Sequence, residues 1–204
     1  MNWNKITVGQ YQQIYPILIE EKWTRLDKLT KVISIVTGKT EEEVDSMPLN
    51  SLKEYDSIFN MPQIGKPLAK IKVNGKVYRL VYDVQKLPAA RYIEGKTFSR
   101  DGIIPNLHSI MASCVMPQKR HLFGYKDDKY DASRHSEYAQ DMKDVPFVFA
   151  YNACVFFCKV FVNWTAYFLS SSEEEIKEMT KKKQMIHLTQ SFKSIMGGFI
   201  PQYL

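Results

Sequence analysis

Apolar residues recur at helical spacing over most of the first sixty positions, and helix start and stop signals bracket each stripe. Val8, Tyr11, Ile14 and Leu18 fall on one face behind Thr7 and Gln10. Those two residues have the spacing of a capping box, in which side chains and backbone satisfy each other's free N–H groups. Pro16 lies inside that stripe and predicts a kink or an early end, because it lacks the N–H that the helical ladder needs. Leu26, Leu29, Ile33 and Val36 form a second stripe, stopped by Gly38. Thr40 with Glu43 makes another capping box, and Pro48 opens a turn carrying Leu52, Tyr55 and Phe59. Residues 1–62 therefore read as a helical region of three or four short helices.

Pro62, Gly65 and Pro67 mark a linker, after which the hydrophobic period changes from that of a helix to that of a strand. The run Ile71-Lys72-Val73-Asn74-Gly75-Lys76-Val77-Tyr78-Arg79-Leu80-Val81-Tyr82 reads as a β-hairpin. Asn74-Gly75 tolerates the positive φ that a type I′ turn needs at both central positions. That turn sets Val73 opposite Lys76, Lys72 opposite Val77, Ile71 opposite Tyr78 and Lys70 opposite Arg79. Ala69, Ile71, Tyr78, Leu80 and Tyr82 then share a face fit to pack on helices, and Lys70, Lys72 and Arg79 share the other.

Pro88 suits the first turn of a further helix, and Ile104 to Met116 reads as another. From Pro117 to Ser133 the chain reads as irregular, with Phe123, Tyr125 and Tyr130 set among basic residues. Val145 to Leu169 is the most apolar stretch. Its length would span a bilayer, but Lys159 near its centre, with Asn152 and Asn163, favours a buried core helix instead. Ser172 caps a last helix with Glu173, Glu174 and Glu175 in its first turn and Lys181, Lys182 and Lys183 further on. Gly197-Gly198 ends it, leaving an apolar tail, Phe199 to Leu204. The expected fold is mainly α with one small antiparallel β-hairpin (α+β), a helical bundle around a central aromatic-rich helix. Residues 1–62 form its first region, and residues 63–204 pack as hairpin plus helical core in one compact unit.

Charge sharpens the reading of the hairpin. The net charge of +6 matches the balance of the segment Lys66 to Arg91 alone, where seven basic residues face only Asp83. Basicity is therefore a local patch rather than a diffuse coat. Lys70 and Arg79, like charges directly opposite, call for screening by salt or for cover by something acidic. The 12 Tyr, 11 Phe and 3 Trp add a hint of a protein that packs on others. Cys114, Cys154 and Cys158 are odd in number and lie in apolar surroundings, which favours reduced thiols in a cytosolic setting. The N-terminus carries no apolar signal region.

Catalytic chemistry finds little support. His108, His121, His135 and His187 have no metal-ligand spacing to one another or to a cysteine. Asp127, Asp128 and Asp131 resemble a fragment of a calcium loop without its glycine and terminal glutamate. There is no glycine-rich phosphate loop. The expectation is a non-enzyme with no catalytic, metal-binding or cofactor-binding residues. Its partner-binding candidates are Lys70, Lys72 and Arg79 on the hairpin, with Phe123 and Tyr125 in the aromatic loop.

Taken in order, several phrases resemble those of a loosely related group of morphogenesis proteins from tailed phages of gut bacteria. They are Ile6-Thr7-Val8-Gly9-Gln10-Tyr11, the run Val32 to Val44, Met47-Pro48-Leu49, the hairpin Ile71 to Leu80, the segment Asp83 to Ile93 and a later apolar helix with Phe156-Phe157. The resemblance covers most of residues 1–170. It departs at Ala89-Ala90-Arg91-Tyr92, where a glutamine-containing phrase is usual, and the Lys/Glu-rich last helix has no counterpart. The resemblance implies a non-enzymatic role in virion or tail assembly, as a structural component of the particle or as a tail-assembly chaperone absent from it. A phage-encoded inhibitor of a host protein is a further reading. The implied partners are other phage structural proteins or a second copy of the chain, with nucleic acid at the basic hairpin a lesser possibility and no membrane. The implied location is the virion or the host cytoplasm.

Overall fold

A computed structural model describes residues 3–155 except 61, 64, 84–86 and 101. Residues Met1–Ala153 form one compact unit. Three of the N-terminal helices begin at threonine caps. Helix α1 (Val8–Ile19) opens at Thr7, whose hydroxyl accepts from the Gln10 N–H at 3.2 Å while the Gln10 side chain accepts from the Thr7 N–H at 3.1 Å. It continues three residues past Pro16, so the proline does not end it. Helix α2 (Arg25–Thr37) opens on a capping box between Thr24 and Asp27 and closes at Gly38, which sits at φ 73°. Its buried residues are Leu29, Thr30, Val32 and Ile33, whereas Leu26, expected on the buried stripe, is 53% exposed. Short helices α3 (Glu41–Asp45, capped by Thr40) and α4 (Leu49–Lys53) follow.

The hairpin forms as β1 (Lys70–Val73) and β2 (Lys76–Leu80), in the register Lys70↔Arg79, Ile71↔Tyr78, Lys72↔Val77 and Val73↔Lys76. It is half of a four-stranded antiparallel sheet in the order β1-β2-β3-β4, not a sheet of its own. Helix α5 (Ala89–Arg100) leads to α6 (Leu107–Cys114), after which the chain turns directly into β3 (Val115–His121) and β4 (Gly124–Asp127). The helix expected over 104–116 is thus shorter at both ends. The region expected to be irregular from Pro117 contains a second hairpin.

Pro117 is tolerated in β3 because of the side its backbone faces. Its carbonyl accepts from the Asp128 N–H at 2.8 Å, just past the end of β4. The donor it lacks would have pointed the same way, so pairing with Tyr78 of β2 loses nothing.

Helix α7 (His135–Lys143) lies under the inner face of the sheet, where Tyr138 meets Tyr78 edge-on at 6.1 Å between ring centroids. Helix α6 packs between α5 and α7, and α1 packs on α2 and touches both α6 and α7. The junction of α7 with the next helix (α8, 147–155) is stitched to the N-terminus. The Val8 N–H donates to the Val145 carbonyl at 2.9 Å, and the Phe147 N–H donates to the Ile6 carbonyl at 2.7 Å. Phe147 stacks on Tyr11 at 3.7 Å. The greater part of the apolar stretch Val145–Leu169, the expected last helix and the tail lie outside the described residues. Among the described residues, no helix is long and apolar enough to cross a membrane.

Candidate interaction surface

Strand alternation sends Ile71, Val73, Tyr78 and Leu80 inward and buries them. The same alternation aims Lys70, Lys72, Val77 and Arg79 outward, and the register of β3 and β4 adds Met116, Gln118, Arg120, Tyr125 and Asp127 to that outer face. The like-charge pair Lys70–Arg79 stands where the turn predicts it, and the acid that relieves it comes from the same chain. Asp127 reaches across from β4 to the Arg79 guanidinium, with Nε–Oδ1 at 2.9 Å, and also accepts from the Gln118 amide. The hydrogen bond from Arg79 holds the Asp127 carboxyl below the usual carboxylate range, and Lys70 nearby adds to the effect. Lys70, Lys72 and Arg120 remain exposed, with no ion pair among the described residues.

The β3–β4 turn carries the most exposed apolar side chains of the described chain. Leu122 is 95% exposed and Phe123 is 102% exposed, and Gly124 at φ 128° shapes the turn in a region closed to other residues. Tyr125 follows on the outer face at 48%. All five candidate residues read from the sequence thus lie on one sheet: Lys70, Lys72, Arg79 and Tyr125 on its outer face, and Phe123 at its tip. Leu122 and Arg120 were missed. The only sequence signal for either was membership of the aromatic, basic loop.

Two other basic residues of the Lys66–Arg91 segment, Lys76 and Arg91, have internal duties. Lys76, on the inner face, donates to Glu137 at 2.7 Å and to Asp141 at 2.8 Å. Asp141, 6% exposed, also accepts from the Tyr78 hydroxyl at 2.5 Å and the Asn74 amide at 3.0 Å. Burial raises the Asp141 carboxyl, but hydrogen bonds from Lys76, Tyr78 and Asn74 outweigh it and leave it below its ordinary value. Burial and the same bond push the Tyr78 hydroxyl far up. Asn74 bonds Asp144 as well, at 2.8 Å, so the first turn is fastened to α7.

Arg91, 3% exposed, lies beneath the Tyr130 ring at 3.8 Å and donates to the Val115 carbonyl at 2.5 Å. Next to it stands a polar cluster. His135 Nδ1 is 2.9 Å from the Tyr130 hydroxyl and 3.3 Å from Glu94 Oε2, to which Ser113 donates at 3.2 Å. Burial, then the Glu94 carboxylate, push the Tyr130 hydroxyl up to about 12. Serine, histidine and carboxylate are all present, but Ser113 and His135 each contact Glu94 rather than each other. Nucleophilic catalysis needs the contact between nucleophile and base. The arrangement locks α5, α6 and α7 together.

No protein-family model matches this sequence, and no curated protein or solved structure matches it.

Proposed function

We propose that the chain is a non-enzymatic assembly protein of a tailed phage, a structural component of the virion or tail that docks through the outer face of its sheet. The observation that carries this reading is the gathering of Lys70, Lys72, Arg120, Tyr125, Leu122 and Phe123 on one open face and its tip, with Asp127 engaged by Arg79. An exposed face with aromatic anchors inside a basic border suits an acidic protein surface, because such anchors supply most of the binding energy and charge steers the encounter. The ordered run of phage-like phrases supports the biological setting. The protein works in this reading without a cofactor, in the virion or in the host cytoplasm.

Mass spectrometry of purified particles tests the reading. A fixed copy number per particle is expected. Absence from particles, with recovery on tail proteins from infected cells, would make it an assembly chaperone, and recovery on host proteins would make it an inhibitor. Charge reversal at Lys70 and Lys72 is expected to lower incorporation. Unchanged incorporation of that variant would remove the sheet face from the proposal.

A further inference from the structure

Two clusters of exposed apolar side chains stand out, and a cleft beside one of them is opposite in charge to the other. One is the β3–β4 tip, where Leu122 and Phe123 stand clear of the body and Arg120 and Lys126 lie exposed beside them, with no acidic residue between Lys119 and Lys126. The other is the corner leading into α2, where Ile19 is 58%, Trp23 38% and Leu26 53% exposed. Beside that corner, a cleft of about 210 Å³ is lined by Trp23, Asp27, Thr30, Lys31, Glu41 and Asp45. Its one cation is already occupied, since Lys31 pairs with Glu41 at 2.8 Å and sits 5.0 Å over the Trp23 ring. Asp27 and Asp45 leave the cleft acidic, and a hydrogen bond from Thr24 holds the Asp27 carboxyl below its ordinary value.

We propose that the chain self-associates head to tail. Leu122 and Phe123 of one copy seat against Trp23 in the α2–α3 cleft of a second copy, with Arg120 and Lys126 facing Asp27, Glu41 and Asp45. An aromatic plug, an exposed indole to receive it and opposite charges around the two are the elements of a hot spot. The contact joins two different patches, so it is heterologous. It leaves a free tip at one end and a free cleft at the other, and therefore propagates to rings or filaments rather than stopping at a dimer. A bilayer is the less favoured receiver of the tip. Two apolar side chains and two cations give only marginal lipid anchoring, and insertion would leave Tyr125 and the outer face uncovered. The inference rests on the reading of the chain as an assembly protein but not on a phage origin.

Sedimentation of the full chain over a wide concentration range tests it. The wild type is expected to grow beyond a dimer with concentration and to shrink with added salt. Leu122→Ser with Phe123→Ser breaks the tip, and Trp23→Ser with Glu41→Lys breaks the cleft. Each is expected to weaken association by about thirtyfold or more, the usual effect of removing a central anchor. Glu41→Lys alone, at an exposed carboxylate, guards against misfolding of the cleft variant. Mixed together, the tip and cleft variants are expected to form a dimer that grows no further, because only one productive contact remains. A wild type that stays monomeric at all concentrations overturns the proposal. So does a mixture that fails to pair while the wild type associates, since that result marks a two-fold contact. Cosedimentation of the wild type, but not the tip variant, with anionic vesicles and without self-association would assign the tip to lipid instead. Particle composition is a separate measurement, so failure here and failure of the assembly reading are told apart.

Discussion

The two hairpins of the sheet are built alike and used differently. In β1–β2 the turn residue Asn74 is fastened to Asp141 and Asp144 on α7, and the strand behind it sends Lys76 and Tyr78 to the same carboxylate. In β3–β4 the turn residues Leu122 and Phe123 stand in solvent, and β4 is exposed along its whole length. The hairpin with the strongest turn signal thus braces the core through its turn and inner face, while Lys70 and Lys72 stay on its outer one. The hairpin with the weaker signal presents the apolar tip. A basic, well-formed hairpin is therefore no guide by itself to which of its charges stay exposed. The partners of its charges decide that.

Removing Asp141 tests the contrast most severely. Asp141→Ala leaves the Tyr78 hydroxyl, the Asn74 amide and the Lys76 ammonium short of an acceptor, with the first of these buried. The expected loss is about 3 kcal/mol, in the range for breaking a buried network that serves a charge. A lower urea midpoint at unchanged slope is the measurement. Asp127→Ala in the other hairpin removes a part-exposed pair with Arg79 and is expected to cost about 0.5–1 kcal/mol. Equal losses at the two sites would end the distinction between brace and surface.

Acid should separate the two as well. The folded-state pKa of Asp141 is depressed, so the unfolded chain binds its proton more readily. The stability this group contributes is full above its unfolded value, about 3.9, and is lost as pH falls through the lower folded value. Asp127 shifts the same way, with Arg79 as the main cause, but its exposure lets solvent weaken the contribution. Denaturation midpoints measured below about pH 4 should therefore fall steeply for the wild type and for Asp127→Asn. The slope should be shallower for Asp141→Asn.

Asn74→Gly divides the brace into turn and fastening. Asn74 sits at φ 49° and Gly75 at φ 73°, so glycine keeps the turn and removes only the two bonds to Asp141 and Asp144. The expected cost is about 1–2 kcal/mol. Asn74→Ala should cost about 1 kcal/mol more, for a left-handed backbone that alanine resists. Equal costs for the two would place all the stabilisation in the side-chain bonds. Thermal or urea unfolding of both variants decides between these.

What was readable in the chain follows the same division. Caps and turn chemistry are local, so Thr7–Gln10, Thr40–Glu43, Gly38 and Asn74-Gly75 announce α1, α3, the end of α2 and the register of β1–β2. Strand β3 gave no such signal. Its first residues, Val115 to Gln118, pair with β2, but Lys119 to His121 run past β2 with both faces in water, so no alternation of polar and apolar residues marks them. Pro117 argues against a strand unless its neighbours are known. Leu26 shows the converse fault, a residue at core spacing whose helix face ends one step short of the core. The fate of the basic residues was not legible because it depends on contacts 48 to 65 positions away, Arg79 with Asp127 and Lys76 with Glu137 and Asp141. The five candidate positions were found by charge and aromatic content, and only the third and fourth strands explain why they share a surface.

The smallest expected effect on folding is the one that most clearly marks the second hairpin as a surface. Phe123→Ser removes a ring that is fully in solvent, so folding loses no burial, no hydrogen bond and no packed neighbour. Its unfolding free energy should stay within about 0.5 kcal/mol of the wild type, as at other surface sites. Tyr78→Phe, by contrast, deletes one oxygen in the brace and should cost about 1.5 kcal/mol, because the lost partner is a carboxylate. A large aromatic side chain that does nothing for its own fold is held in solvent at the cost of ordering water around it. Phe123→Ser should therefore leave the urea midpoint in place while it shifts concentration-dependent sedimentation to higher protein concentration. If the midpoint fell instead, the tip would belong to the fold, and the two hairpins would differ in sequence but not in role.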